Sequence, residues 1–329
     1  MSYSKLYIDG KDAYTEYGVF VEQYGYKALI QMPSFKKLET TEWGEYDGEE
    51  TDLTSPMLDT KTFAIQFCIT EIDMANNLLE LLSDKSYHIF NFTELNKSYK
   101  LRLVSNPSRS SLRHLGKISV NFADDFPPVV LNDFINEDDL DDYNLILTQK
   151  PYTKAPAGFK QKGYALDDID FSLFGIYVLD GTDESIEKAP NVRQNLTISS
   201  KATPGIIYDD KNVMYKAKDV GLKLLIHAPN LAEFWRRWYS FWTVLLKPES
   251  RTLYIDNPID EFQCHYKSNS VTKFDIRKNG KVWCEFTTTL TFTDTRPIGN
   301  YFVLATEDGE IVITEPAGED VEINLKLVR

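Results

Sequence analysis

The feature that most constrains this chain is a strand-like run that occurs twice. Val120-Asn121-Phe122-Ala123-Asp124 and Leu290-Thr291-Phe292-Thr293-Asp294 each close a stretch of alternating apolar and polar residues. Proline follows both runs within a few residues, as Pro127-Pro128 and as Pro297. Because proline interrupts regular pairing, each run is expected to end a structural unit. The sequence therefore predicts that one β-rich unit is present twice.

Further matches occur in the same order in both halves. Residues 17–21 (YGVFV) match residues 174–178 (FGIYV), and residues 99–106 match residues 262–269, with Ser-Asn at the end of both segments. The spacing between matches grows along the chain, as loop insertions would produce. The collinear order predicts an internal duplication.

Each half carries one predicted helix between strands. The first follows the alternating strand 62–69, begins with a capping-box pattern at Thr70 and Asp73, and has an apolar stripe up to Leu82. The second begins at a capping pair, Asn230 and Glu233. Its apolar residues recur at helical spacing, which predicts one buried face: Leu231, Phe234, Trp235, Trp238, Tyr239 and Trp242.

Turn residues separate the predicted strands. Asp9-Gly10 predicts a turn after the first strand, and Ser105-Asn106-Pro107 predicts another. Asn279-Gly280 predicts a type I′ hairpin that joins strands 271–278 and 281–292.

These patterns divide the chain into four segments. Residues 1–130 and 169–297 are the two units, and 131–168 is a carboxylate-rich and proline-containing linker or arm. Residues 298–329 are a small β extension that packs on a domain or pairs with a neighbouring subunit. The predicted fold class is mainly β (α+β), with two tandem β-sandwich or barrel-like units that each contain one helix.

The charge and the cysteine content of the chain indicate which classes of function and which cellular compartment to expect. The chain has 36 basic and 50 acidic residues, a net charge of -14, which disfavours a general nucleic-acid binder. Its three cysteines form no CxxC pair, which indicates a reducing compartment, and Cys264 and Cys284 are expected to face each other as buried thiols. Without an apolar run of about 18 residues, a soluble protein made in the cytoplasm is expected.

Catalytic and metal-binding patterns are missing from the sequence. The four histidines, His88, His114, His227 and His265, have no metal-ligand spacing, and those within strands are interpreted as solvent-facing or satisfied core positions. Segment 180–184, with Asp180, Asp183 and Glu184, is interpreted as a solvated turn, with a calcium site as the alternative. We therefore predict no catalytic, cofactor-binding or metal-binding residue.

Two surface features have alternative interpretations. The tryptophans of the second helix favour core or interface packing, and a sugar-stacking platform is the alternative. Arg236-Arg237 lies off that stripe and is expected to face solvent or a neighbouring subunit. The basic stretch from Lys97 to Lys117 is either a solvated sheet face or a charge-complementary subunit contact: Lys97, Lys100, Arg102, Arg109, Arg113 and Lys117.

The combined pattern resembles the tail-tube fold of bacteriophages, especially the N-terminal domain of distal tail proteins of long-tailed phages. The resemblance covers most of both units and excludes residues 124–168 and the tail after 298. The matching segments are 17–21, 63–82, 87–106 and 116–128 in the first unit, and 174–178, 222–242, 252–269 and 271–297 in the second.

The resemblance implies a ring of tube-like domains around a channel that DNA traverses. One unit per chain requires a hexamer, whereas two units allow a trimer, as in phage tail hub proteins. The expected protein is a non-enzymatic virion tail component of a phage or prophage, made in the host cytoplasm. It would join tail tube to tip, contact other tail proteins, pass DNA as cargo through an acidic lumen, and need no membrane or cofactor.

Two other functional classes stay open. A carbohydrate-binding module of a surface or receptor-binding protein would be favoured by solvent-exposed rings at Trp235, Trp238 and Trp242. A glycoside hydrolase would need two carboxylates about 5 Å or about 6.5–9.5 Å apart in a cleft.

Overall fold

A computed structural model describes most of the chain. The described residues are 5–22, 25–44, 46–112, 115–130, 145–146, 163–193, 197–199, 201–202, 204–208, 214–256, 259–293, 304–305, 311–312 and 325–326. These residues form mostly β-sheet, so the predicted mainly-β fold class is confirmed. His114 and Arg113 lie outside the described residues, as do Asp294, Pro297 and most of the predicted linker and C-terminal extension.

The first half contains a seven-stranded sheet, here called the first sheet. Its strand order is β2-β1-β7-β8-β9-β6-β3, and every neighbouring pair is antiparallel. A short ladder between β4 and β5 lies in the segment that connects β3 to β6. Strands β1 to β9 are Leu6–Ile8, Lys11–Asp12, Val19–Val21, Thr40–Thr41, Glu50–Thr51, Lys61–Ile69, Tyr87–Phe92, Lys97–Leu112 and Leu115–Asp124.

The second half contains another seven-stranded antiparallel sheet, the second sheet. Its order is β13-β12-β18-β19-β20-β17-β14, so strands taken in chain order occupy the same places as in the first sheet. Strands β10 to β20 are Val129–Val130, Leu145–Ile146, Tyr164–Leu166, Ile169–Asp170, Ile176–Val178, Thr197–Ile198, Ile207–Tyr208, Lys218–Ala228, Arg251–Asp256, Ile259–Ile276 and Val282–Phe292.

The shorter sheets lie outside these two. Strands β10 and β11 pair in parallel, and β15 pairs with β16 in the connection from β14 to β17. The C-terminal segment is described at Leu304–Ala305, Ile311–Val312 and Leu325–Lys326, which form a three-stranded antiparallel sheet (β21 to β23). Tyr164–Leu166 was assigned to the linker from sequence but is β12 of the second sheet, paired with β18.

Two long helices match the sequence prediction. They are α3 and α5, and α5 begins at Asn230, whose side chain accepts a hydrogen bond from the backbone N–H of Glu233. The additional short helices α1, α2 and α4, with a 3-10 turn at Phe171–Phe174, are too short to show a helical period. Helices α1 to α5 are Ala13–Tyr17, Lys27–Ile30, Ile72–Leu82, Thr182–Glu187 and Leu231–Leu245. No helix in the described part of the chain has the length and apolarity needed to cross a membrane.

The predicted capping box of the first helix is wrong. Glu71 is the N-cap of α3 and makes no side-chain capping bond. The Thr70 hydroxyl instead donates to the carbonyl of Gly18 at 2.9 Å, so it ties the end of β6 to the start of β3.

The repeated Tyr/Phe-Gly pattern marks a helix end followed by a strand. Tyr17 ends α1 and Phe174 ends the 3-10 turn, so neither belongs to the strand that the sequence suggested. Gly18 (φ 59°) and Gly175 (φ 67°) then adopt the left-handed conformation, which glycine tolerates best, and the strand begins at the next residue.

Two turn predictions needed correction. Ser105-Asn106-Pro107 lies inside β8, where the pairing register with β9 shifts after Leu103, and the second sheet shifts after Tyr266 in the same way. The repeated Ser-Asn therefore marks a β-bulge. The hairpin at Asn279-Gly280 is confirmed, but only Gly280 has positive φ (81°), and its N–H donates to the carbonyl of Arg277. It is a type I turn followed by a left-handed glycine.

Both sheets bury one face, and their cores merge. Strand β6 alternates buried and exposed residues near its end, and β7 alternates along its whole length. Buried residues of both sheets, together with α3 and α5, form one continuous apolar cluster. The two sheets are therefore held together by core packing, since burying apolar surface stabilises by about 25 cal/mol per Å².

Candidate functional site

The tryptophan face of α5 is buried. Trp235, Trp238 and Trp242 are 8%, 1% and 0% exposed. Trp238 packs 4.9 Å from the ring of Phe286, and Trp242 packs 5.1 Å from the ring of Tyr266. The predicted packing role is confirmed, and a sugar-stacking platform on this face is wrong because the rings are not accessible.

The N-terminal half of α5 reaches the first sheet. Trp235 Nε1 donates to the carbonyl of Leu95, in the turn between β7 and β8, at 2.9 Å. The Lys97 ammonium lies 5.0 Å from the Trp235 ring centroid and 4.7 Å from that of Tyr239. These cation–π contacts attract the ammonium to both α5 rings and so add to the junction between the helix and the first sheet. We call this contact between α5 and the first sheet the seam.

A second group of contacts extends the seam along β19. The hydroxyl of Tyr266 donates to the carbonyl of Pro33 at 2.9 Å, and the backbone N–H of Met32 donates to Asn269 Oδ1 at 3.1 Å. Met32 is buried at this point. Polar groups of the segment after α2 are therefore satisfied by the second sheet, which avoids the cost of leaving them unpaired in the core.

Lys61 is a half-buried residue whose ammonium group lies in the interior of the seam. Its ammonium donates to the carbonyls of Leu29 (2.8 Å) and Gln31 (3.0 Å), and it lines a cavity of about 20 Å³ together with Tyr239. Burial lowers the pKa of Lys61 to about 8, and the nearby Asp124 carboxylate opposes that shift. Burial also raises the pKa of Asp124. The sequence showed Lys61 only as one polar residue before an alternating strand, so its position was not predicted.

The segments between β3 and β6 and between β14 and β17 are also tied together. Arg193 donates to the carbonyls of Trp43 and, at 2.6 Å, of Gly48. The N–H of Gly48 donates to the carbonyl of Tyr215 at 2.9 Å, and the N–H of Tyr215 donates to Asp47 Oδ1 at 2.8 Å.

An open cleft of about 880 Å³ lies beside these contacts. Burial raises the pKa of Glu49, with a further contribution from Glu42. Several carboxylates line the cleft, which is where a glycoside hydrolase would need its catalytic pair: Glu39, Asp47, Glu49, Glu50, Asp52 and Glu249. Within the described ranges, no three His, Cys, Asp or Glu side chains are grouped so that they could hold a metal ion.

The histidines are separated in the fold. His88 is buried and its Nδ1 lies 2.6 Å from Asp9 Oδ2, so it is a satisfied core position. Burial lowers the pKa of His265 to about 4, so this imidazole is neutral at physiological pH. His227 is half-buried against the ring of Trp283, 5.7 Å away.

The two predicted facing thiols do not face each other. Cys264 is opposite Phe292, whereas Cys284 is opposite Phe274, near the other end of β20. Burial raises the pKa of Cys264 to about 12 and that of Cys284 well above the usual range. Both cysteines are therefore inert apolar residues of the core, because the thiolate is the reactive form.

Segment 180–184 lies at the start of α4. Asp183 and Glu184 are in the first turn of this helix, where carboxylates interact favourably with the helix dipole. Asp183 also accepts a hydrogen bond from the hydroxyl of Tyr164. These contacts agree with a structural role.

The adjacent arginines have different environments. Arg236 is largely exposed and pairs with Glu233 at 3.1 Å. Arg237 is buried, donates to the carbonyl of His227 at 2.8 Å, and lies against Gly175, so the expectation that it faces solvent or a subunit is wrong. A cation on the buried side of an amphipathic helix cannot be recognised from spacing alone.

Four of the six basic side chains in the predicted basic stretch have partners within the chain. Lys97 lies over two α5 rings, and Lys100 lies over the rings of Tyr87 and Phe126. Arg102 pairs with Asp125, and Lys117 pairs with Glu22. The side chains of Arg109 and Arg113 lie outside the described residues.

Comparisons with known proteins leave the family open. No protein-family model and no curated protein matches this chain. Among solved structures, it is similar to the SPP1 Dit (gp 19.1) protein, described as a paradigm of the hub adsorption apparatus in Gram-positive infecting phages. The two are 12% identical, the match covers 88% of this chain and 98% of that one, and the TM-score is 0.28. A TM-score this low carries no functional weight.

Proposed function

We propose that this protein is a non-enzymatic structural component of a phage or prophage tail, acting as a distal tail or hub ring between tail tube and tip. Both sheets would serve as tube-like units of that ring, around a channel that DNA passes through. The observation that carries the proposal is the seam, because it joins two sheets of the same strand order through different surfaces.

An internal duplication is supported by matching local details. In each half a left-handed glycine, Gly18 or Gly175, precedes the third strand, and the bulge in the long central strand falls at the same register. We propose unit boundaries at residues 1–130 and 164–297, with the second unit beginning earlier than the sequence suggested because Tyr164–Leu166 is one of its strands.

The geometry of the seam favours a ring. The second sheet contributes its long helix, whereas the first contributes the β7–β8 turn and the segment around α2. A contact between unlike surfaces generates rings when its rotation closes. Three chains would then supply six units, and the net charge of -14 suits a lumen through which DNA slides without sticking.

The mass of the assembled protein tests the proposal. Light scattering after size exclusion should be measured over a concentration series, with negative-stain images of every species above the monomer. A trimer with a central hole is expected, and a hexamer would favour a distal tail ring over a hub. A monomer at every concentration, or an oligomer without a hole, would contradict the ring.

A further inference from the structure

Helix α3 resembles α5 in position, and in the described part of the chain it packs against α1 and β8 of its own half. We propose that it docks on the second sheet of another copy by repeating the seam, with Glu80 of one chain facing Lys218 of the next. This inference rests on the proposed ring and specifies the contact between its chains.

The two helices can be aligned residue by residue. Their N-caps are Glu71 and Asn230. From these caps, the buried residues Ala75, Leu78 and Leu82 of α3 fall on the buried residues Phe234, Arg237 and Phe241 of α5. The same alignment places three residues of α3 at the positions that form the seam in α5: Asn76, Leu79 and Glu80 correspond to Trp235, Trp238 and Tyr239.

The seam positions of α5 are buried, whereas the equivalent positions of α3 are more exposed. Trp235 and Trp238 are buried at the seam. Asn76 and Glu80 are exposed, and Leu79 is half-buried. The side of α3 that corresponds to the seam is therefore accessible in the single chain.

The surface that would receive α3 is also recognisable. Lys61 and Lys218 begin equivalent strands, and each pairs with the last residue of the strand beside it. Lys61 donates to the carbonyl of Leu29, and Lys218 donates in the same way to the carbonyl of Ile186. The equivalent of the Lys61 region is therefore built around Lys218.

This receiving face is less buried than its counterpart in the first sheet. Leu29 is 2% exposed and lines the small cavity with Trp235 and Tyr239 of α5. Lys61 and Lys218 are both half-buried. Ile186 is also half-buried, however, and the adjacent Lys188 is exposed. A second copy of this chain offers the matching helix to cover them.

Charge supports the pairing. In the seam, Tyr239 and Lys61 line the same small cavity. Their equivalents across two chains are Glu80 and Lys218, which have opposite charges, and Lys188 adds a second cation nearby. A polar, charged contact is weakened by salt. The contact between chains should therefore depend on salt and concentration, whereas the buried seam within each chain should depend on salt far less.

Charge reversal tests this contact. Glu80→Lys, Lys218→Glu and the double variant should be compared with the wild type by light scattering, at about 50 mM and about 500 mM salt. Each single reversal should raise the concentration needed for half-assembly by about fivefold or more at low salt. The double variant should return to within about twofold of the wild type, because the pair is restored with its polarity exchanged.

Matched controls separate this contact from general charge effects. Glu39→Lys and Lys278→Glu change exposed charges at the β4 segment and at the β19–β20 hairpin, and neither should alter assembly. Lys218 also donates a hydrogen bond within its own chain, so unfolding curves must show that each variant is folded. The variant Glu80→Lys changes an exposed helix position and therefore tests the same contact without disturbing that hydrogen bond.

The outcomes distinguish the two proposals. A wild-type ring whose assembly is unchanged by Glu80→Lys, or not restored by the double variant, would overturn this contact and leave the ring standing. A wild-type monomer at every concentration would overturn the ring and, with it, the contact.

Discussion

Asp9 and Asp167 perform the same structural task in the two sheets. Each follows the second-outermost strand of its sheet with positive φ, 49° and 48° respectively. Asp9 Oδ1 accepts from the N–H of Ile89 at 2.8 Å, and Asp167 Oδ1 accepts from the N–H of Thr252 at 2.9 Å. Positive φ is uncommon for residues other than glycine, but aspartate tolerates it. The shared geometry supports the proposed duplication more specifically than strand order does.

The second oxygen of each carboxylate meets a different partner. Asp9 Oδ2 lies 2.6 Å from His88 Nδ1, whereas Asp167 Oδ2 accepts from an Arg251 nitrogen at 2.6 Å. Arginine is charged at every accessible pH, but histidine can become neutral. The two sheets should therefore differ in how strongly their stability depends on this carboxylate.

We expect Asp167→Asn to destabilise the protein more than Asp9→Asn. Asparagine tolerates positive φ and keeps one acceptor, so both variants mainly remove the negative charge. Arg251 is buried and would keep an uncompensated charge, which should lower the free energy of unfolding by about 2–3 kcal/mol, against about 1 kcal/mol for Asp9→Asn. Urea unfolding at pH 7 measures both variants, and equal losses would show that the partner is irrelevant.

Lys61 should make stability increase with pH between about 8 and about 10. Its folded pKa is about 8, below the unfolded value, so this side chain holds more protons in the unfolded chain within this window, and its own contribution to the free energy of unfolding rises with pH. That contribution is about 2 kcal/mol. The buried thiols of Cys264 and Cys284 oppose it in the same window, because their raised pKa values let them keep protons that the unfolded thiols lose. Above about 10 the buried tyrosines, whose pKa values are also raised, oppose it in the same way.

The variant Lys61→Met isolates this effect. Relative to the wild type, it should lower the slope of unfolding free energy against pH between about 8 and about 10 by about 1 kcal/mol per pH unit, whatever its effect on absolute stability. Urea unfolding at half-unit pH steps gives the slope. If the slope of unfolding free energy against pH is the same in the variant as in the wild type, another group causes the pH dependence. Lys97 would be the first group to examine, because burial also lowers its pKa.

The substitution Trp235→Ala should lower the free energy of unfolding far more than Trp43→Ala does. Trp235 is buried in the seam and bonded to Leu95, so truncation should cost about 3–5 kcal/mol by leaving a cavity and an unpaired carbonyl. Trp43 is 55% exposed, and its loss should cost less than about 1 kcal/mol. Chemical denaturation followed by circular dichroism compares the two, and a small loss at Trp235 would indicate that the seam does not hold the sheets together.

The substitution Gly175→Ala should lower the stability of the folded protein more than Gly10→Ala does. Both glycines have positive φ, so both variants incur backbone strain of about 1 kcal/mol. A Cβ at Gly175 would lie 2.7 Å from Arg237 Cδ, whereas a Cβ at Gly10 would meet no atom within 4 Å. The melting temperature should therefore fall further for Gly175→Ala than for Gly10→Ala. A similar fall for both variants would mean that the Arg237 side chain moves aside with no loss of stability.

Local patterns anticipated the long elements of this fold. Alternation identified β6, helical spacing identified α5, and Asn230 marked its first turn. These features depend on residues that are close in the chain, and their periods of 2.0 and 3.6 residues are properties of the backbone. The matching order of elements in the two halves was visible for the same reason.

Short-range features that depend on a distant partner were misjudged. Thr70 looked like a helix cap but bonds Gly18, and the turn expected at residues 105–107 is a bulge whose form depends on β9. Arg237 looked solvent-facing because its position beside Gly175 arises only when β14 and α5 meet.

By itself, the sequence determined the fold class, the order of the elements and the apolar face of α5, because those follow from local periodicity and backbone sterics. Only the tertiary structure decided that this face closes on Leu95 and Lys97, that Lys61 is buried there, and that Asp9 and Asp167 hold equivalent strands. These contacts join residues far apart in the chain. Their energies arise from burial and partner geometry, which exist only once distant segments of the chain have come together in the fold.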